Sequence, residues 1–434
     1  MQTACVSSIT LADRALGILV LTAGILIIIA ARSTAWLLPL VTAATLAAMF
    51  LERQSLGGLT QISPSNVLIA LLLGLALLSA TWAADPLFAF SHAIMALFML
   101  FQWQLLTTWV SVQPMRRVRH LSYWLPIAVL IGLAILTFEI YGHQYIRRSL
   151  MENYGILSPP TLGRHFQIDA DGEVNIFDFE LNRSIAAANM IVWPALLCAS
   201  SWWSGQKLVL IGIVFVGGVT LATFGSNHET SKIAVVLAIV TFAMAKFIPR
   251  MAIASLTAGW LILTFSVVPA SLVAYERLQL NSLPWLQFSA QERIIIWGDF
   301  GRRVIEAPWF GAGVRTAYVL SERGVASLEK QTGQPRVIAN HAHNVNLQVW
   351  YELGFVGAAL FSAAGLSVLL ALSKLAETTQ PYALATFAAF LTEIGSSWEI
   401  WQRWFFALFI LVAFFVKLGI RSVEKDQRSA RRSM

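Results

Sequence analysis

Charge is scarce in this chain. Only 12% of its 434 residues are charged, roughly half the share of an ordinary soluble domain, while 57% are hydrophobic. With a mean hydropathy of +0.68, this excludes a soluble globular enzyme, a disordered protein and a nucleic-acid binder. Cysteine is nearly absent. Cys5 and Cys198 lie far apart and suggest neither a disulfide framework nor a metal cluster. No G-x-x-x-x-G-K-[ST] occurs, so there is no sign of an ATP-driven pump, and no H-E-x-x-H occurs. Of seven histidines, His341 and His343 form a close pair. An H-x-H pair with no third ligand nearby is a weak metal signal, and no cofactor or metal is expected. Ionisable residues at mid-span, which a proton- or ion-coupled transporter would bury, are few. Glu139, Glu393 and Glu399 all fall near the ends of their apolar runs.

Long apolar runs are what the chain has instead. A helix needs about 20 apolar residues to cross the hydrocarbon core. On that rule the sequence predicts an all-α polytopic membrane protein with about twelve spans. They run near 14–31, 34–51, 66–84, 87–110, 121–141, 184–203, 207–224, 232–246, 251–273, 352–373, 381–397 and 402–420. The net charge of +7 then reads through the positive-inside rule. Arg116, Arg117 and Arg119 cluster in one short loop, Lys246 and Arg250 flank another, and the 421–434 tail is basic. All three fall on one side, which places both termini in the cytoplasm. The two long loops, 142–183 and 274–351, fall on the opposite side. Long loops translocate regardless of charge, so their arginines do not conflict with this.

The two long loops hold most of the polar chemistry. The first is acid-rich (Glu152, Asp169, Asp171, Glu173, Asp178, Glu180) and the second is basic. In the second, Ser289 with Glu292 forms a capping-box pattern ahead of Ile294–Trp297, and Pro308 stops the helix. A Gly311–Ala312–Gly313 turn follows, then a second helical stretch over 316–331. The whole of 1–434 reads as a single membrane domain.

The most informative stretch runs from Asn340 through His341-Ala342-His343-Asn344 to Glu352-Leu353-Gly354 and Gly357. Ahead of it lie Arg293-Ile294-Ile295-Ile296-Trp297 and Pro308-Trp309-Phe310-Gly311-Ala312-Gly313. Together they resemble the signature of the O-antigen ligase and polymerase superfamily: Arg-x-x-x-Trp, then Pro-x-x-Gly-x-Gly, then a His-Asn pair leading into Glu-Leu-Gly. Asn182-Arg183-Ser184 and Thr230-Ser231-Lys232 are weaker matches. At the latter the family often has Ser-Arg, so Lys232 keeps the charge but loses the forked geometry. The specific motifs cover about a tenth of the chain, the topology all of it.

The resemblance implies transfer of a glycan from undecaprenyl diphosphate to an acceptor hydroxyl on the periplasmic face of the bacterial inner membrane. For the ligase the acceptor is a sugar of lipid A-core. The O-antigen polymerase and the protein oligosaccharyltransferases of the superfamily are alternatives, and a transporter is a rival from another class. The residue types suit the chemistry. A sugar hydroxyl is a poor nucleophile, and a histidine can take its proton at neutral pH. The leaving diphosphate gains charge that arginine or lysine can meet without a metal. A single displacement inverts the anomeric centre.

The expected catalytic residues are His343 and Arg293. Arg183, Lys232, His341, Asn344 and Arg315 are expected to bind substrate. Each also has a plain structural reading. His343 would cap a helix, Arg293 would lie on a solvated face, and Arg183 would snorkel to the interface. Glu352 would pair with a loop cation or a backbone amide. The implied partners are the lipid-linked glycan, lipid A-core and membrane lipids.

Overall fold

The computed structural model describes residues 10–54, 59, 61–154, 166–168, 174–327 and 337–432. Cys5, Arg164, Asp169, Asp171, Glu173, Lys330 and Arg336 lie outside them.

The described residues form fifteen α-helices, a few short 3-10 or π turns and one short hairpin. In chain order the helices are α1 (Leu11–Ile29), α2 (Thr34–Leu51), α3 (Pro64–Leu78), α4 (Pro86–Val112), α5 (Met115–Tyr141), α6 (Tyr145–Tyr154), α7 (Asn182–Ala199), α8 (Gly205–Phe224), α9 (Glu229–Phe247), α10 (Pro249–Leu272), α11 (Phe288–Glu306), α12 (Thr316–Glu322), α13 (Val345–Ser373), α14 (Gln380–Ser396) and α15 (Arg403–Arg432). Strands β1 (Phe166–Ile168) and β2 (Val174–Ile176) pair antiparallel, Phe166 opposite Ile176. Ten helices are long and apolar enough to cross a membrane, which makes this a multi-pass all-α membrane protein. The other two expected spans are present as α7 and α14 but fall short on those grounds. α7 carries Asn182, Arg183 and Asn189, and α14 has only 17 residues.

Both are interior helices. From Ser184 to Ala199 every residue of α7 is buried, the pattern of a helix apolar on all sides and surrounded by others. It packs against α1, α5, α8, α9, α14 and α15, while α14 lies along α9. Small residues set the closest approaches, as in other membrane bundles. A Cβ on Gly24 of α1 would stand 2.6 Å from that of Ala128 on α5.

At one end of the bundle a buried ion-pair network ties three helices together. Arg117 of α5, 4% exposed, donates to Asp13 of α1 at 2.5 Å and to Glu52, just past α2, at 2.5 Å. Arg116 also reaches Asp13 at 3.0 Å. The Arg116–Arg119 cluster is therefore not a free loop, because α5 begins at Met115. Removing one partner from such a buried pair costs about 3–5 kcal/mol.

The other end, the site face, gathers the starts of α2, α4, α7, α9, α13 and α15 and the 273–344 segment. There α11 starts at Phe288, earlier than the sequence pattern suggests, and Gln287 precedes it without a side-chain cap. The expected Ser289–Glu292 capping box is thus not formed. The next helix, α12, ends at Glu322, short of the expected stretch, whose residues 328–331 lie outside the described residues. Gly324 in left-handed conformation closes it, with Val325 N–H bonding back to Leu320 O at 3.0 Å.

Candidate active site

Three polar units meet on the site face. The first is the turn that leads into α13. Asn344 caps that helix, its Oδ1 accepting from Leu347 N–H at 3.1 Å. Side chains pin the turn at both polar atoms of Ala342. Its N–H donates to Gln348 Oε1 at 2.8 Å, and its carbonyl accepts from Trp297 Nε1 at 2.9 Å. The Trp of the Arg-x-x-x-Trp stretch therefore anchors the histidine turn. His343 sits at φ 51°, a left-handed conformation that a residue with a side chain seldom adopts unless its surroundings enforce it.

These bonds fix the tautomers of the two histidines. His343 Nδ1 lies 3.0 Å from the Ser397 carbonyl, which can only accept, so Nδ1 carries the proton and Nε2 keeps its lone pair. His341 Nδ1 accepts the His343 N–H at 3.1 Å, so neutral His341 carries its proton on Nε2. Their rings are 3.9 Å apart. The pair thus offers one proton acceptor and one donor side by side. Burial and the Arg293 charge push the His343 pKa down to about 4. Burial, His343, Arg315 and Arg293 hold His341 well below its ordinary value. The positive end of α13 acts in the same direction. Both rings are therefore neutral at physiological pH.

The second unit supports the first. Glu352, fully buried on α13, accepts from Gln348 Nε2 at 2.6 Å, from the Arg315 backbone N–H at 2.9 Å and from Trp401 Nε1 at 2.5 Å. Its partner in the loop is thus a backbone amide. The Arg315 guanidinium is bound to Glu399 and stacks over Tyr318 at 4.3 Å and Phe88 at 5.3 Å. Burial raises the Glu399 pKa while Arg315 opposes that shift.

The Pro-x-x-Gly-x-Gly and Glu-Leu-Gly motifs dock on one another. Phe355 N–H donates to Pro308 O, Val356 N–H to Trp309 O, Ala312 N–H to Tyr351 O and Gly313 N–H to Glu352 O. Gly354 breaks the helix at φ 62°, ψ −159° to allow this. A Cβ there would meet the Trp309 carbonyl carbon at 2.3 Å, and one on Gly311 would meet the Glu352 carbonyl carbon at 2.5 Å.

The third unit holds the cations. Arg293, on α11, acts electrostatically on His228, His341, His343 and Glu393. Among the described residues it forms no hydrogen bond or ion pair. Burial lowers its pKa without neutralising it at pH 7. The structure thus brings His341, His343, Asn344 and Arg293 together. Arg183 stands in a separate group with Arg32 and Arg147, bonded to Glu180 at 3.4 Å and 6.0 Å from the Trp404 ring. Trp404 contacts Trp398, and Trp398 contacts His228, so an aromatic bridge joins the two groups. Lys232 pairs with Glu229 at 2.8 Å.

His228, Ser231, Glu393 and Ser397 also belong to this face; sequence reasoning quoted Ser231 in a motif and noted Glu393 at a span end but expected none of the four as a site residue. His228 lies just ahead of Thr230-Ser231-Lys232, which was the available signal. Burial and Arg293 push its pKa down to about 3.

Comparison with known proteins converges on the same region. Residues 183–362 match the family model described as O-antigen ligase. That range holds Arg183, Lys232, Arg293, Arg315 and both site histidines. The chain is also 24% identical over 246 residues to a "putative polysaccharide ligase" of Rickettsia conorii, covering 56% of this chain and 58% of that protein. Proteins of the same description from Rickettsia prowazekii and Rickettsia typhi are 20% and 19% identical over 316 residues. Those matches cover 70% and 72% of this chain and 69% and 71% of the relatives. The family segment and these relatives show that this polytopic helical chain is similar, over residues 183–362, to the O-antigen ligase family.

Proposed function

We propose that this protein transfers a glycan from undecaprenyl diphosphate to a sugar hydroxyl of lipid A-core, on the periplasmic face of the bacterial inner membrane. The observation that carries this reading is the Arg293 guanidinium, without a hydrogen bond or ion pair among the described residues, acting electrostatically on two neutral histidines of fixed tautomer. A cation without a partner beside a base with a free lone pair suits a reaction that makes an anion and releases a proton.

In this scheme the acceptor hydroxyl donates to His343 Nε2. Its oxygen attacks the anomeric carbon as the bond from that carbon to the diphosphate oxygen breaks. The proton ends on His343, the electron pair on the diphosphate, and the anomeric centre inverts. A positioned base contributes about 10²–10⁴-fold. Arg293 meets the charge that develops on the leaving oxygen. His341 Nε2–H is a donor beside the reacting atoms, and Asn344 holds the turn while its amide faces substrate. Arg183, with Arg32 and Arg147, offers a second cationic group for the donor lipid. Lys232 joins diphosphate binding in exchange for Glu229. Arg315, locked to Glu399, acts mainly through the potential it imposes on His341. Charge is met by side chains in this scheme, with no metal required, and both termini are cytoplasmic.

The test is His343→Ala, read on a glycolipid gel and by extraction of lipid-linked intermediates. Loss of transfer by about 10²-fold or more, with long polymer retained on undecaprenyl diphosphate and bare lipid A-core, is the expected result. Near-normal transfer returns His343 to a capping role. A lipid A-core band carrying one repeat unit assigns the chain to polymerisation instead, because a ligase would then still be acting.

A further inference from the structure

The hydrogen bond that orients His343 ends on a main-chain carbonyl, and a carboxylate without a part in the scheme above holds that carbonyl in place. Glu393 is 0% exposed, near the end of α14. Its Oε2 accepts from Ser397 Oγ at 3.0 Å and its Oε1 from Ser231 Oγ of α9 at 2.5 Å. Ser397 leaves the helix at φ −119°, ψ −104°, which turns its carbonyl out of the helical ladder and toward His343. The bond back to Glu393 ties that turn down. On the other side, Ser231 gives its one proton to Glu393 and so accepts from His228 Nδ1 at 2.7 Å. His228 packs on Trp398, the residue after Ser397, at 5.4 Å between rings. A closed circuit therefore runs His228, Ser231, Glu393, Ser397, Trp398 and back to His228, and His343 hangs from it.

The charged and titratable groups that face this circuit are His228 from α9, Arg293 from α11, and His341 and His343 from the turn before α13, with Arg315 acting on His341. Arg293 is partly withdrawn from water and needs a counter-charge. Glu393 acts on it electrostatically without a direct ion pair. That arrangement leaves the guanidinium donors free for an anion.

We propose that Glu393 is a positioning residue for the transfer reaction. Through Ser397 it fixes the carbonyl that keeps the proton on His343 Nδ1 and the lone pair on Nε2, and its charge offsets Arg293 when His343 becomes an imidazolium. The proposal rests on His343 as the base.

The experiment uses purified full-length protein in lipid nanodiscs with a lipid-linked donor. Glu393→Gln keeps the shape and removes the charge, and Ser397→Ala removes the bond but not the carbonyl. Each should lower kcat on the order of tenfold while KM for the donor stays within about twofold, because neither side chain touches the donor. Neither should slow the residual rate further in a His343→Ala background. The pH midpoint for acylation of His343 by diethylpyrocarbonate should fall in Glu393→Gln, because the Arg293 charge that depresses it then lacks the Glu393 counter-charge. Wild-type kcat and an unchanged midpoint in both variants would overturn the positioning role. Should Glu393→Gln not insert, Ser397→Ala carries the test. Full transfer by His343→Ala refutes the base itself, a different result from failure at Glu393.

Discussion

The depressed pKa of His343 sets where transfer should fail in acid. The neutral ring is the working form, and lowering its pKa from 6.5 to about 4 keeps that form present further into acid. At pH 5.5 a group titrating at about 4 is about 97% neutral, whereas an unperturbed histidine is about 9% neutral. The two cases differ by roughly tenfold in the fraction of competent enzyme. Initial rates of transfer from a fluorescent lipid-linked donor, measured from pH 4.5 to 8, give kcat/KM, whose acid limb reports the free enzyme. The limb should lie below pH 5. Arg293 is one cause of the depression, so Arg293→Gln should move the limb upward even as it lowers the overall rate. An acid limb between pH 6 and 7 that Arg293→Gln leaves in place would refute the reading of His343 as a buried base under the Arg293 field.

Three further outcomes follow from the geometry. Arg293→Ala should reduce transfer more than Arg293→Lys, which keeps a charge but not the fork, and chelation by EDTA should leave wild-type transfer intact; activity lost to EDTA and restored by Mg²⁺ would sink the cationic scheme. Gly354→Ala places a Cβ 2.3 Å from the Trp309 carbonyl carbon on a backbone that only glycine adopts readily. It should cost about 1–3 kcal/mol in backbone strain alone, plus the displaced loop, and appear as a lower midpoint in thermal unfolding; an unchanged midpoint contradicts the docked-motif geometry. Ser327→Cys in a chain lacking Cys5 and Cys198 should react with an impermeant thiol reagent on intact spheroplasts, and labelling only after lysis would reverse the proposed sidedness.

Sequence by itself determined the membrane architecture, because span formation is local. Some 20 apolar residues must satisfy their own backbone hydrogen bonds in lipid, and that requirement is written in each run. All twelve expected runs became helices, including α7, which carries Asn182, Arg183 and Asn189, and α14, which has only 17 residues. The motif residues were legible as well, since the histidine turn, the Arg-x-x-x-Trp stretch and the two glycine motifs each carry their own short spacing.

Only the tertiary structure decided what those residues touch. Glu393 lies 162 positions from Ser231, Arg117 lies 104 from Asp13, and Arg315 lies 84 from Glu399. Nothing in the periodicity around any of them names its partner. The same holds for the two local misreadings. The Ser289 and Glu292 pattern suits a cap, but the helix began at Phe288, and the helical stretch expected from Thr316 ended at Glu322, with Gly324 in left-handed conformation after it. Which of the expected site cations lacks an ion pair among the described residues is a property of the whole assembly. Lys232, Arg315 and Arg183 each met a carboxylate, while Arg293 met two neutral rings and a carboxylate already satisfied by two serines.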